Sequence, residues 1–224
     1  MTGKQHSAVT VIVADDHPLF RVALRLGVRS LLPSAEVIEV DSFDSLRAAA
    51  ARYPTSNLVL LDLMMPGAQG LSALEFLRSE FPTLRVAVIS SVSQPSWLRM
   101  IRTLGACAFV HKSASPELMQ SILGRVLDGG EYWPEAERSS PKPALATPPV
   151  ATADERFGLL SRQELRIVLH IKQGRLNKQI AGDLQISEST VKTHISAILR
   201  KLGLNTRTQV ALLAERLLSV PSGS

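Results

Sequence analysis

The sequence predicts two units of different fold class, an N-terminal α/β unit with a parallel sheet and a C-terminal unit made only of helices. Three observations support this: five short apolar runs alternate with amphipathic stretches before residue 130, a proline-rich segment follows, and the pattern after Phe157 is helical. With 45% hydrophobic and 20% charged residues, the 224-residue chain has a globular composition and is long enough for two small domains.

The five apolar runs are short and rich in valine, isoleucine and leucine, which is typical of strands buried on both faces of a parallel sheet. They are Val9–Ala14, Val37–Val40, Leu58–Leu61, Val86–Ile89 and Ala108–Val110. Helical periodicity follows each run, in Pro18–Leu32, Asp44–Tyr53, Ser72–Glu80, Ser96–Leu104 and Pro116–Asp128. Five alternating strand–helix units predict a doubly wound sheet, with helices on both faces, over residues 1–130.

Residues 131–156 are predicted to link the two units. Five prolines fall between Pro134 and Pro149, mixed with serine, alanine and threonine. Because proline fixes φ and keeps the preceding residue out of helical geometry, such a segment behaves as an extended spacer. A surface loop within one domain is the alternative, but structureless loops longer than about 12–15 residues are uncommon there.

Composition and apolar patterning exclude several protein classes. The single cysteine, Cys107, rules out an intramolecular disulfide and a multi-cysteine zinc site, and it fits a cytoplasmic protein. No apolar run approaches the roughly 20 residues of a membrane helix. The first apolar stretch is interrupted at once by Asp15 and Asp16, unlike a signal peptide. We therefore expect a cytoplasmic protein that does not insert into a membrane.

The net charge of +5 is distributed unevenly along the chain. Residues 1–130 carry 12 basic and 11 acidic side chains, residues 131–156 carry 3 and 5, and residues 157–224 carry 10 and 4. The C-terminal unit alone therefore has a net charge of +6, which exceeds the surplus of the whole chain. A local basic excess predicts a polyanionic partner for this unit.

Polar side chains stand where the apolar runs of the N-terminal unit end. Asp15 and Asp16 follow the first run, Asp62 the third and Ser90 the fourth, and Lys112 comes shortly after the fifth. Ligands of open α/β sheets bind beyond the carboxyl ends of the strands, so we expect these side chains in one cleft. Clustered carboxylates beside a lysine suit Mg²⁺ and a phosphate, and an aspartate in that setting can form an aspartyl phosphate.

Each of these residues alone could equally be a cap or turn residue after a strand. Five such residues at strand ends are much harder to explain in that way. His17, which follows the acidic pair, is expected to be a loop or helix-start residue before Pro18 rather than a metal ligand.

Four segments of this unit, VIVADDHPLF, LVLLDLMMPGAQG, VAVISS and GACAFVHK, resemble the receiver domain of two-component response regulators in order and spacing. The resemblance covers about residues 9–130. It implies strand order 2-1-3-4-5 and phosphorylation of Asp62 by a sensor histidine kinase. It also implies that the receiver catalyses no reaction beyond its own phosphotransfer and autodephosphorylation, so the protein is not a classical enzyme.

The same resemblance assigns roles to individual residues. It implies that Mg²⁺ is held by Asp15, Asp16, Asp62 and the backbone carbonyl of Met64. Lys112 would pair with the phosphate, and Ser90 would donate a hydrogen bond to a phosphate oxygen and pull its loop inward. Phe109 matches the aromatic residue whose rotamer changes with that shift.

The predicted helix Glu188–Leu202 has two contrasting faces. Its apolar residues fall within one stripe about 100° wide; they are Val191, Ile195, Ile198, Leu199 and Leu202. The opposite face is small, polar and cationic; it comprises Ser189, Thr193, Ser196 and Arg200, with Lys192 and Lys201 on its flanks. Such a face suits the major groove of DNA, although an ordinary solvated helix face would have a similar composition.

The preceding residues favour the DNA interpretation. A short helix beginning near Asn177, a turn at Gln185 and Ile186, and the longer helix capped by Ser187 describe a helix-turn-helix, although the turn lacks glycine. Phe157 is the only aromatic residue of the C-terminal unit. Modules that bind single strands stack bases on several aromatic side chains, so double-stranded DNA is favoured over RNA.

The segment from Leu159 to about Leu218 resembles the LuxR-type helix-turn-helix of NarL/FixJ response regulators, most clearly in NKQIA and ISESTVKTHISAILRKL. The resemblance implies a four-helix domain over residues 157–224 that binds promoter DNA, with RNA polymerase as a further partner. Its base-facing positions are Lys192, Thr193 and Ser196. Its candidates for phosphate contact are Lys178, Ser189, Thr190, Arg200, Lys201 and Arg207.

The last predicted helix, about Thr206–Leu218, has more apolar surface than its core stripe requires. Leu212 lies nearly opposite the stripe and Leu218 lies to one side, which indicates a homodimer contact that matches two half-sites on DNA. Incidental exposure of single apolar residues is the alternative.

Together these patterns predict a phosphorylation-controlled transcription regulator. Two other classes share some of its features. An aspartyl-phosphate phosphatase would usually carry a carboxylate two residues after the nucleophile, where this chain has Met64. A receiver that signals only through protein contacts would leave the basic outer face of Glu188–Leu202 without a function.

Overall fold

The computed structural model describes residues 9–68, 70–92, 94–134 and 153–218. The N-terminal unit contains a five-stranded parallel sheet in the order 2-1-3-4-5, which confirms the predicted fold. Its elements are β1 (Thr10–Ala14), α1 (Pro18–Leu31), β2 (Glu36–Val40), α2 (Phe43–Arg52), β3 (Leu58–Leu61), α3 (Ser72–Glu80), β4 (Val86–Ser90), α4 (Pro95–Leu104), β5 (Ala108–His111) and α5 (Pro116–Leu127).

The register of the sheet brings the polar strand ends to one edge. Ala14 at the end of β1 pairs with Leu61 at the end of β3, so Asp15 and Asp62 leave the sheet side by side. Ser90 at the end of β4 pairs in the same way with His111 at the end of β5. The side chains of β3 and β4 are buried throughout, because helices cover both faces of the sheet.

The C-terminal unit is helical throughout its described residues. Its elements are a five-residue helix α6 (Ala153–Phe157), α7 (Arg162–Lys172), α8 (Asn177–Leu184), α9 (Glu188–Leu202) and α10 (Arg207–Leu218). Ser187 caps α9 as predicted, because its hydroxyl accepts a hydrogen bond from the Thr190 N–H at 3.0 Å. The turn between α8 and α9 dispenses with glycine because Gln185 itself adopts the left-handed conformation, with φ of 54°.

Both ends of the predicted linker carry ordered structure. Tyr132 forms a bridge with Ala108 of β5, and α6 begins before residue 157 and contacts α9. The prolines from Pro141 to Pro149 lie outside the described residues. The domain limits 1–130, 131–156 and 157–224 remain a prediction.

The two units contact each other through α3 and α4 on one side and α7 and the end of α10 on the other. The Trp97 indole N–H of α4 donates to the Leu217 carbonyl at 2.8 Å. Arg166 of α7 pairs with Glu75 of α3 at 2.8 Å. Leu218, expected as exposed surface, is only 1% exposed. That expectation is wrong, because the end of α10 packs against the N-terminal unit.

Candidate functional site

The carboxyl edge of the sheet holds a buried cluster of carboxylates around one lysine. Asp15 follows β1, Asp62 follows β3, and both side chains are almost inaccessible to solvent. The Lys112 ammonium lies 2.7 Å from Oδ2 of Asp15 and 2.7 Å from Oδ2 of Asp62. The structure therefore brings together Asp15, Asp16, Asp62 and Lys112, four of the five residues expected in one cleft.

Burial and the lysine act in opposite directions on the charge of this cluster. Burial raises the pKa of Asp62 above its ordinary value, although the hydrogen bond and the charge of Lys112 oppose that shift. Burial acts to lower the pKa of Lys112, but its hydrogen bonds to Asp15 and Asp62 outweigh that effect and the pKa is raised. The ammonium of Lys112 pairs with two of the three carboxylates, Asp15 and Asp62, so the negative charges outnumber it and a further positive charge would be stabilised here.

The carboxylate oxygens of this cluster suit a hard divalent cation. One ligand atom each from Asp15, Asp16, His17 and Asp62 lies within 4.8 Å of the others. Asp16 Oδ1 is buried and accepts no hydrogen bond of good geometry from the described residues, although His17 Nδ1 lies 2.7 Å from it. His17 stands at the N-cap of α1, as expected, but its imidazole also faces the carboxylates, which the sequence analysis did not anticipate.

Of the other predicted pocket residues, Met64 contacts Asp62 directly, whereas Ser90 is buried at the end of β4 and Phe109 within β5. The Met64 N–H donates to Asp62 Oδ1 at 3.1 Å, while the Met64 side chain is exposed. Ser90 is fully buried at the end of β4, and its hydroxyl accepts a long hydrogen bond of 3.4 Å from the Val92 N–H. Phe109 is buried in the core beneath the edge.

His111 is a polar residue of this edge that the sequence analysis did not consider. It ends β5 directly before Lys112, and its ring hydrogen-bonds to Ser91 and Ser113. An apolar residue would continue the apolar run of the buried strand, so a histidine there was the available signal.

The outer face of α9 is exposed in the C-terminal unit. Its solvent-facing residues are Ser189, Lys192, Thr193, Ser196, Arg200 and Lys201. The hydroxyls of Thr193 and Ser196 each donate to a backbone carbonyl four residues earlier, at 3.1 Å. Lys192 pairs only loosely with Glu188, at 3.4 Å, with both side chains exposed. This face can therefore meet a base edge without disturbing the core.

The predicted phosphate contacts differ in their surroundings. Lys178, Ser189 and Arg200 are exposed, whereas Thr190 is half-buried. Lys201 is bound to the buried Glu164 at 2.6 Å.

Arg207 is held within the C-terminal unit by Asn177 and by the Arg175 carbonyl. Burial lowers its pKa from the ordinary value. Lys201 and Arg207 thus have structural partners that the positions of the charges along a helix do not reveal.

Among the described residues, no helix is both long and apolar enough to cross a membrane.

Two family models match this chain. The model for the response regulator receiver domain matches residues 11–123, and the model for bacterial regulatory proteins of the luxR family matches residues 158–214. The two matches coincide with the α/β unit and the helical unit.

Relatives match over nearly the full length. The chain is 36% identical over 208 residues to the glycerol metabolism activator of Pseudomonas putida, covering 91% of this chain and 94% of that protein. It is 31% identical over 206 residues to the nitrate/nitrite response regulator protein NarL of Escherichia coli K12, covering 91% and 93%. RcsB of Salmonella enterica serovar Typhimurium bound to promoter DNA shares the fold, with a TM-score of 0.52 at 21% identity over 92% and 97% of the chains.

Proposed function

The chain belongs to the LuxR family of response regulators, and we propose that phosphorylation of Asp62 by a partner histidine kinase controls its dimerisation and its binding to promoter DNA. The observation that carries this proposal is the buried Asp62 carboxylate, 2.7 Å from Lys112 Nζ, at the sheet edge that also holds Asp15 and Asp16. The family is one of transcription regulators rather than classical enzymes.

The residues that would hold Mg²⁺ in this proposal are Asp15, Asp16, Asp62 and the backbone carbonyl of Met64. Their oxygen donors and the buried Asp16 Oδ1, which accepts no hydrogen bond of good geometry from the described residues, fit a hard divalent cation. When bound, the ion supplies positive charge beside the phosphoryl oxygens.

Backbone and side-chain groups of the pocket have separate roles in phosphotransfer. The Met64 N–H orients the Asp62 carboxylate, one oxygen of which attacks the phosphorus of the kinase's phosphohistidine. The phosphorus–nitrogen bond breaks as the phosphorus–oxygen bond forms. Lys112 then pairs with a phosphoryl oxygen, as its present contact with Asp62 allows.

The switch in this proposal begins at Ser90. Its hydroxyl, which accepts a long bond from the Val92 N–H, donates its own hydrogen to a phosphoryl oxygen, and the chain after β4 moves with it. Phe109 occupies the space that this shift leaves. A buried, packed core has discrete alternatives rather than a continuous range, so the shift biases two states.

The contact between the two units suggests how the signal reaches DNA. α4 follows Ser90 in the chain, and its Trp97 donates to the carbonyl of Leu217 near the end of α10. The outer face of α9 is exposed while this contact exists. Control therefore acts on dimerisation through α10, where Leu212 is 66% exposed, rather than on access to α9.

On DNA, Lys192, Thr193 and Ser196 read bases in the major groove. The phosphate contacts come from Lys178, Ser189, Thr190, Arg200, Lys201 and Arg207. A cytoplasmic location and a partnership with RNA polymerase complete the proposal.

The proposal is tested with the full chain, acetyl phosphate as phosphodonor and Mg²⁺. We expect the wild type to gain phosphate on a phosphate-affinity gel, to dimerise in sedimentation and to bind genomic fragments more tightly. Asp62→Ala and chelation of Mg²⁺ by EDTA should each abolish the gain. Equally tight binding by Asp62→Ala and by the treated wild type would contradict the switch.

A further inference from the structure

We propose that His111 is a positioning residue that holds the chain after β4 away from Asp62 while the protein is unphosphorylated. His111 lies outside the residues given roles above, half-buried at the end of β5. The inference rests on the proposed function and deepens it, because it names what opposes the switch at Ser90.

The His111 ring bridges two residues next to phosphate-binding groups. Its Nε2 lies 3.0 Å from the Ser91 carbonyl, to which it must donate. Its Nδ1 accepts from the Ser113 backbone N–H at 3.2 Å and lies 2.6 Å from the Ser113 hydroxyl. This arrangement requires the proton on Nε2. The ring thus ties the residue after Ser90 to the residue after Lys112.

The order of the strands determines from which side the His111 ring holds Ser91. β4 lies between β3, which leads to Asp62, and β5, which ends in His111. Ser91 is therefore held from the side opposite to Asp62. A Ser90 hydroxyl that moves toward a phosphoryl group on Asp62 carries Ser91 away from the His111 ring and lengthens their hydrogen bond.

The hydrogen bond from His111 to Ser91 adds to the backbone bond by which the Lys112 N–H donates to the Ser90 carbonyl at 3.0 Å, and it is shorter than the bond within the turn. The bond from the Val92 N–H to the Ser90 hydroxyl is 3.4 Å long, against 3.0 Å for the bond from His111 to Ser91. The net contribution of one such bond corresponds to a shift of about two- to tenfold in a two-state equilibrium. His111 therefore shifts the equilibrium between the two states of the switch without contacting the phosphate.

Two variants separate the hydrogen bond from the shape of the ring. His111→Leu removes the donor at similar size, whereas His111→Gln keeps an amide N–H near the position of Nε2. In the unphosphorylated full chain, amide hydrogen exchange of Ser91 and Val92 is measured by NMR. We expect exchange about two- to tenfold faster in His111→Leu and near the wild-type rate in His111→Gln.

A second measurement follows phosphorylation by acetyl phosphate with Mg²⁺. His111→Leu should take up phosphate about two- to tenfold faster than the wild type, and His111→Gln at the wild-type rate. Unchanged exchange in His111→Leu, or equal acceleration in both variants, would overturn the role of His111. A wild type that takes up no phosphate would instead refute the proposed function, and the exchange rates would still decide the role of His111.

Discussion

The charged side chains of the acidic pocket are largely buried and paired, whereas those on the outer face of α9 are exposed. In the pocket, Asp15 and Asp62 are buried and share one ammonium, and the pKa of Asp62 depends on burial and on the charges of Lys112 and Asp15. On α9, Lys192 is 67% exposed and pairs only loosely with Glu188. Changes in the pocket therefore alter the stability of the protein itself, whereas a change at Lys192 alters only what the outer face contacts.

Lys112→Ala tests the first half of this comparison and should have the largest effect. It leaves two buried carboxylates without their cation, which should cost about 3 kcal/mol of unfolding free energy at neutral pH. Because burial raises the pKa of Asp62, the ionised form is the costly one. The loss should therefore shrink as the pH falls through that raised pKa, since Asp62 then takes up a proton. Urea unfolding at several pH values measures this.

A divalent cation provides the control for that prediction. If the cluster accepts Mg²⁺, millimolar Mg²⁺ should restore part of the stability lost in Lys112→Ala.

Lys192→Ala, a matched removal of an exposed lysine, should change the unfolding free energy by less than about 0.5 kcal/mol at any pH. Equal losses in the two variants would remove the distinction between pocket and outer face.

Lys192→Ala and Lys201→Ala test the second half of the comparison. Lys192→Ala should weaken binding by about 1–3 kcal/mol at one base position of the site, with normal stability. Lys201→Ala should instead cost about 1 kcal/mol of stability, because it leaves the buried Glu164 without its partner 2.6 Å away. Binding titrations on single-base variants of one site, beside urea unfolding, distinguish the two. A uniform loss across sequences in Lys192→Ala would make it a phosphate contact.

The fold and the pocket were predictable because they follow from the order of apolar runs and polar residues along the chain. Short apolar runs fixed the strands, and parallel strands bring Asp15 and Asp62 to one edge whatever the details of packing. The error at Leu218 and the omission at Lys201 concern contacts between distant segments. Leu218 is buried because α10 meets α4, and Lys201 meets Glu164 from a helix 37 residues away in sequence. Periodicity describes one helix at a time and cannot report which neighbour covers a given face.

Gln185→Gly tests the smallest effect. It should change the unfolding free energy and leave DNA binding unchanged. Gln185 stands in the left-handed conformation at the end of α8, with φ of 54°, where a side chain is disfavoured and glycine is not. Glycine relieves strain of about 1–2 kcal/mol. Its greater freedom in the unfolded chain offsets part of that gain, so the unfolding free energy should rise by about 0.5 kcal/mol. Gln185→Ala, which keeps a Cβ, should not share this gain. Because Gln185 is exposed and outside the outer face of α9, DNA affinity should stay unchanged in both variants. An altered base preference in Gln185→Gly would mean that the strained turn also sets the angle of α9.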